Sequence, residues 1–391
     1  MSCSRSRIDR LRAAYGAAGA RAMLVRGTTN VQWLTAFDGV FDEEQAHALY
    51  VDAERAVLHT DSRYATACRR EAAAGGDVVA VDDARESHAA FAARMAADAV
   101  AASEIAIEDG IALAEYRALQ RAFSVPAAPS AQAAAAGTPA AQPQAANAPV
   151  RFCETSGVVF GLRAVKDADE VCRMRAAQAI TDAAFSHIIA FMRPGMTERE
   201  VQIELEDYML RHGASALAFP SIVATGANGA NPHAIPGETR LEAGQCVVMD
   251  FGAKAQGYCS DMTRTVFLGA PSDTMRAAWD TLRRANEEVE ALLRPGVAGC
   301  EAHELAERIL AEGGFEGRMG HGLGHGVGID IHEEPVLSPR NKEPLVAGNV
   351  VTVEPGIYLP GEFGMRLEDF GIVTDDGFEV FTRSTHEPVI L

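Results

Sequence analysis

CVVMDFG (Cys246–Gly252) and VVTVEPG (Val350–Gly356) are short apolar runs that each reach a single acid, Asp250 in the first and Glu354 in the second. Such runs read as strands buried on both faces. An ionised carboxylate at the end of one is costly unless something pairs with it. Each run is followed by another strand-like stretch with its own acid. CSDMTRTVF (Cys259–Phe267) carries Asp261, and GMRLEDFGIV (Gly364–Val373) carries Glu368. His325 sits in the glycine-rich run Gly320–Gly328, where backbone can approach closely. Asp250, Asp261, His325, Glu354 and Glu368 therefore form one candidate metal set. Two divalent ions balance four carboxylates, and a metal pair acting on one water and one carbonyl is a tool for hydrolysis. A neutral imidazole among carboxylates suits manganese, cobalt, iron or zinc better than magnesium or calcium.

Working outward, the same plan occurs twice. Asp167 with Glu170 fits a capping box and opens a helix that ends at Arg193-Pro194-Gly195; Thr197 with Glu200 opens a second, closed at Gly213. A helix over Met275–Leu293 ends at Arg294-Pro295-Gly296, and another over Ala302–Ala311 stops at Gly313-Gly314. Helix, helix, strand with acid, strand with acid, repeated, implies an internal duplication whose pseudo-twofold axis gathers the four carboxylates.

The first 124 residues alternate helical and strand patterns and read as a separate α/β domain. Ile8–Ala18 is an amphipathic helix, Ala22–Val25 and Val31–Leu34 are strands, Ala48–Val51 and Ala56–Thr60 form a hairpin, and Val78–Val81 is a further strand. Residues 125–150 are almost all Ala, Pro, Gln and Ser, a linker or insertion without the apolar variety to build a core. Residues 151–391 then form the domain with the acids. The fold class is α+β.

A formal charge of -19 argues against nucleic acid or an anionic membrane as partner. Seven scattered cysteines without a CxxC fit a reducing compartment. No run of about 18 apolar residues offers a membrane span, and the N-terminus has no signal-peptide core. A cytoplasmic protein is expected.

Three further residues stand out. Strand alternation puts Arg366 on the face of Glu368, as support for a metal ligand or a contact for a substrate carboxylate, and turns Asp369 the other way, into a salt bridge or cap. His233 lies in an irregular loop, Thr225–Pro236, of the kind that binds substrate near a metal.

Together, MDFGA…YCSDMTRT, GHGVGIDIHEEP, VEPGIY and GMRLED resemble the creatinase/methionine aminopeptidase family of metallopeptidases, above all its Xaa-Pro aminopeptidases and Xaa-Pro dipeptidases (prolidases). The resemblance covers nearly the whole chain, with RIDRLRAAYGAAGARAMLVRGTTNVQWLTAF and HTDSRY similar to the group's N-terminal domain and RPGMTERE similar to the start of its catalytic domain. It implies a "pita-bread" catalytic fold and a dinuclear site, most expectedly manganese. Its ligand motifs fall on Asp250, Asp261, His325, Glu354 and Glu368. Its substrate-binding positions fall on His233, His332, His321 and Arg366. The implied reaction is removal of the N-terminal residue from peptides with proline second, through a metal-bridging hydroxide. Glu354 is then the proton shuttle, His332 stabilises the oxyanion, and His233 orients substrate or assists the leaving nitrogen. A homodimer is common in the family.

Two alternatives stay open beside the aminopeptidase. One is a dipeptidase limited to Xaa-Pro; the other, from a different class, is an inert pita-bread binding protein. Inert members typically lose metal ligands, and none is altered here. The intact set also argues against creatinase, and the first domain argues against methionine aminopeptidase.

Overall fold

The computed structural model describes residues 3–42, 44–97, 104–124 and 150–391. Its chain divides into two compact units, Met1–Leu162 and Arg163–Leu391.

In the first unit, β1 (Ala22–Val25), β2 (Ala48–Asp52), β3 (Ala56–His59), β4 (Ala80–Asp82), β5 (Glu104–Glu108) and β6 (Arg151–Thr155) form one sheet in the order β4-β3-β2-β1-β5-β6. β2 runs antiparallel to β1 and to β3, which gives the expected hairpin. The other neighbours are parallel. Leu24, Tyr50, Ile105 and Ile107 pack with Phe91 and Met95 of the helix His88–Ala97.

Two expectations for this unit are corrected. Val31–Leu34 is not a strand but part of the helix Thr28–Thr35, with Val31, Trp33 and Leu34 buried and the Arg7 guanidinium 4.8 Å from the Trp33 ring centroid. Four mostly apolar residues fit either period, and burial of both Trp33 and its neighbours decides for the helix. The strand expected at Val78–Val81 forms at Ala80–Asp82.

Residues 125–149 of the expected linker lie outside the described residues. After them the chain does not open the second unit. Arg151–Thr155 pairs with Glu104–Glu108 at five successive positions, so the division falls after Leu162 rather than at 150. Loss of core-forming composition does not mark the boundary here.

The second unit has two similar halves. The helices Ala168–Phe191 and Glu198–Arg211, both opened by the expected capping boxes, pack on a sheet of β8 (Ile222–Thr225), β9 (Cys246–Phe251), β12 (Met262–Phe267) and β20 (Val389–Ile390). Phe185, Ile188, Val201, Leu205 and Met209 meet Val247, Met249, Phe251 and Val266 there. The helices Asp273–Leu292 and Gly299–Glu312 pack on the second sheet. Its strands are β13 (Gly324–Gly326), β14 (Glu333–Leu337), β15 (Val350–Val353), β18 (Asp369–Val373) and β19 (Phe378–Val380). Trp279, Leu282, Val289, Ala306 and Ile309 meet Val351, Val353 and Val373 there. Short strands β7 (Ala216–Leu217), β10 (Ala253–Ala255) and β11 (Tyr258–Cys259) edge the first half; β16 (Gly356–Leu359) and β17 (Phe363–Arg366) form a hairpin.

The two halves match in detail. Gly195 and Gly296, each after Arg-Pro, take φ of +94° and +96°, a region open to glycine. Gly195 N donates to Leu241 O at 2.8 Å, and Gly296 N donates to Leu345 O at 2.9 Å. The bridge Thr197↔Arg240 has its counterpart in Ala298↔Pro344. Nine residues beyond those leucines stand Asp250 and Glu354.

Candidate metal centre

Each half delivers its acids from the end of one strand and the start of the next. Asp250 lies near the end of β9 and pairs in register with Thr263 of β12, so Asp261 returns beside it. Glu354 follows β15, and Glu368 precedes β18, which pairs with β15 from Val353↔Asp369 onward. The halves are joined at this point: Glu368 N donates to Thr263 O at 3.1 Å, and Thr265 Oγ1 donates to Arg366 O at 3.0 Å. His325 arrives on β13, with its main-chain N bonded to Thr352 Oγ1 at 3.0 Å.

The five expected ligands converge. One ligand atom from each of Asp261, His325 and Glu368 lies within 4.8 Å of the other two. Asp261 Oδ2 and Glu354 Oε1 each lie 3.5 Å from His325 Nε2. The imidazole proton is assigned by its other nitrogen: Nδ1 is 3.0 Å from Gly326 O and donates to it, so Nε2 presents a lone pair to two carboxylates. Acceptors facing acceptors make a site that a cation fits. Asp250 points the same way, for its Oδ1 is buried and accepts no hydrogen bond.

The electrostatics carry the same demand. Burial, then the charges of Asp250 and Glu354, push the Asp261 carboxyl well above its usual range. Burial, then Asp261, Glu354 and Asp250, do so for Glu368. Glu354 is raised too, first by burial. Among the described residues one cation, Arg366, is buried against them. Its Nη2 donates to Asp250 Oδ2, its Nη1 to Tyr358 Oη at 2.7 Å, and its Nε to Thr263 Oγ1 at 2.9 Å. Thr263 Oγ1 in turn donates to Glu368 Oε2 at 2.6 Å. Arg366 is 4% exposed, and all three guanidinium nitrogens bond protein partners. One guanidinium against four buried carboxylates leaves an excess that divalent cations fit. The donor set of oxygens with one nitrogen suits them.

The other candidates surround this cluster. The His332 ring stands edge-on to His325, centroids 4.5 Å apart. His321 Nε2 lies 3.2 Å from Tyr358 Oη, which donates to it while accepting from Arg366. Burial lowers the pKa of both histidines. His233 is exposed and contributes to the lowering at both His321 and His332. Asp369 turns away, as expected, into ion pairs with Arg264 and His386 at 2.7 Å each.

Residues 172–375 match Metallopeptidase family M24, and residues 7–136 match the Creatinase/Prolidase N-terminal domain. The chain belongs to metallopeptidase family M24. It is 33% identical over 385 residues to the uncharacterized peptidase YqhT of Bacillus subtilis, covering 98% of this chain and 100% of that one. It is similar in structure to an Xaa-Pro dipeptidase from Bacillus anthracis, with a TM-score of 0.87 and 33% identity over 99% of this chain and 100% of that one. It is also similar to an X-Pro aminopeptidase from Thermotoga maritima, with a TM-score of 0.81 and 28% identity over 97% and 99%. The second unit of this M24 chain is the pita-bread fold, and the family's chemistry depends on divalent metal.

Several residues of the M24 site have no signature of their own in the sequence. Tyr358 and Thr263 lie within recognised motifs, but nothing in single residues announces the path Asp250–Arg366–Tyr358–His321. The loop of His332 is held by a second buried cluster. Glu333 accepts from Arg163 Nη2 and from Lys166 Nζ at 3.1 Å, and Arg163 Nη2 also donates to Asp330 Oδ2 at 2.8 Å. Burial would raise the Glu333 carboxyl, but Lys166 and Arg163 hold it below its usual range. Only the charge pattern AVKDADE and IHEE hints at this, and neither names the partner.

Proposed function

We propose that this metallopeptidase hydrolyses the bond between an N-terminal residue and a following proline. The supporting observation is the gathering of Asp261, Glu354 and Glu368 about the lone pair of His325, with the unpartnered Oδ1 of Asp250 and the ring of His332 beside them. In this proposal the five hold two divalent metals, with manganese the first to test. When bound, such ions supply Lewis acidity toward water and toward a peptide carbonyl. Glu354, whose Oε1 receives the Thr352 hydroxyl at 3.2 Å, takes the proton from the attacking water and returns it to the leaving nitrogen. His332 donates a hydrogen bond to the carbonyl oxygen as negative charge grows on it. His233, from its exposed loop, orients the peptide around the proline. The nitrogen of that bond carries no hydrogen, so selection rests on the shape of the ring.

The aminopeptidase is the first reading. The likeness to the Bacillus anthracis dipeptidase favours a second, in which only Xaa-Pro dipeptides are cut. Stripping the protein with a chelator and assaying Xaa-Pro dipeptides and tripeptides with added manganese or cobalt separates the two. Cleavage of both lengths supports the aminopeptidase; cleavage of dipeptides alone supports the dipeptidase. His325→Ala is expected to lose turnover and bound metal together, and a near-normal rate in that variant overturns the site.

A further inference from the structure

Glu198 is the first residue of the helix Glu198–Arg211, and its side chain is wholly buried. Its carboxylate accepts from uncharged N–H groups. Oε1 receives Thr225 N at 2.9 Å and Asn228 Nδ2 at 3.0 Å. Oε2 receives Asn228 Nδ2 at 2.9 Å and Gly237 N at 3.2 Å. Thr225 and Gly237 are the two ends of the loop that carries His233. Main-chain bonds lock the outgoing end, Glu198 N to Thr239 O at 3.0 Å and Arg199 N to Gly237 O at 3.1 Å. The floor of the loop has no room to shift: a Cβ on Gly364 of β17 would fall 1.9 Å from Gly229 O.

The internal repeat shows that this is not a general need of the fold. Thr197 matches Ala298 in the paired bridges, so Glu198 matches Gly299. A Cβ on Gly299 would lie 2.4 Å from Val336 O, because there the returning chain packs directly on the helix start. In the half with the histidine loop the chain stands off, and a buried carboxylate spans the gap. Burying a carboxylate is costly. An apolar residue could seat the helix without that cost, so what Glu198 adds is one acceptor that closes the loop from both ends.

We infer that Glu198 is a positioning residue for the reaction, acting through His233 by fixing the loop from which that histidine meets the peptide. This rests on the substrate role proposed above for His233. In Glu198→Gln the side-chain carbonyl keeps Thr225 N, but the new amide turns its own N–H toward Gly237 N, so Gly237 N loses its acceptor and the side chain no longer ties the two ends together. A displacement near 1 Å at a substrate contact costs on the order of a hundredfold in rate.

The test is a double-mutant cycle on kcat/KM for an Xaa-Pro peptide in the manganese-loaded full chain, with Glu198→Gln, His233→Ala and both. Glu198→Gln alone is expected to lose tenfold or more, with metal content unchanged. In the His233→Ala background it is expected to lose less than threefold. Hydrogen exchange is expected to quicken at Gly237 while the helix Glu198–Arg211 stays protected. Equal losses in both backgrounds, or unchanged exchange at the Gly237 amide, overturn the inference. If Glu198→Gln does not fold, Asn228→Ala carries the same cycle, since it removes the donor shared by both oxygens and keeps the carboxylate. A wild type inert toward every Xaa-Pro peptide overturns the functional reading and this one with it. An active wild type matched by Glu198→Gln overturns only the role of Glu198.

Discussion

Replacing Arg163 by Met removes one of two cations from a carboxylate that water does not reach. Arg163, Lys166 and Glu333 have side chains 1%, 1% and 2% exposed. Removing one partner of a buried ion pair costs about 3–5 kcal/mol, because the remaining charge is left uncompensated. Lys166 still lies 3.1 Å from Glu333, which places the cost at the lower end, about 3 kcal/mol. For a unit of this size each kcal/mol lowers Tm by about 2–4 °C, giving a fall of roughly 6–12 °C. The chain has two tryptophans, Trp33 in the first unit and Trp279 in the second. Fluorescence melting in a Trp33→Phe background therefore follows the second unit alone. The pH dependence supplies the sign. The Glu333 carboxyl is depressed in the folded protein, so its contribution is full above the unfolded value of about 4.3 and is lost as pH falls through the lower folded value. The gap between wild type and Arg163→Met is thus expected to hold from pH 7 to about 4.3 and to close below it. A gap under 2 °C at pH 7, or one that widens on acidification, refutes the account of the cluster.

Thr263→Val breaks the link by which Arg366 reaches Glu368, leaving the guanidinium Nε and a carboxylate oxygen without their shared hydroxyl. Metal affinity, read by competition with a chelating dye, is expected to fall about 10–100-fold, and unchanged affinity refutes the role. At the start of β18, burial would raise the Asp369 carboxyl, but Arg264 and His386 bring it down to about 2. Burial would lower the His386 pKa, but Asp369 raises it. A raised histidine stabilises fully below about 6.5 and loses its contribution as pH climbs through the folded value. His386→Gln is expected to flatten the decline in stability between about pH 6.5 and 8, measured by urea unfolding, and an unchanged slope refutes the pairing.

What is legible in the sequence follows from what is costly to hide. Asp250 and Glu354 end apolar runs, and a buried charge at such a position has few explanations, so the acids point to one another from the residues alone. The repeat is legible because Arg-Pro-Gly recurs with the same backbone task, a positive φ after a helix. Residues 31–34 resist such reading because a run of four carries no decisive period, and the packing of Trp33 under Arg7 is a tertiary fact. The domain boundary resists it because composition reports whether a segment can form a core. It does not report whether the chain beyond it rejoins the sheet it left, as Arg151–Thr155 does. The supporting groups are hidden for a third reason. Glu198, Glu333 and Thr263 are ordinary polar residues whose partners lie 27 to 170 positions away, and a hydrogen bond leaves no periodic trace. Residues that hold metal must therefore be read as a set, whereas the residues that aim the histidines emerge only when each buried polar atom is followed to its partner. That division places the chemistry of this chain in its motifs and its precision in the residues between them.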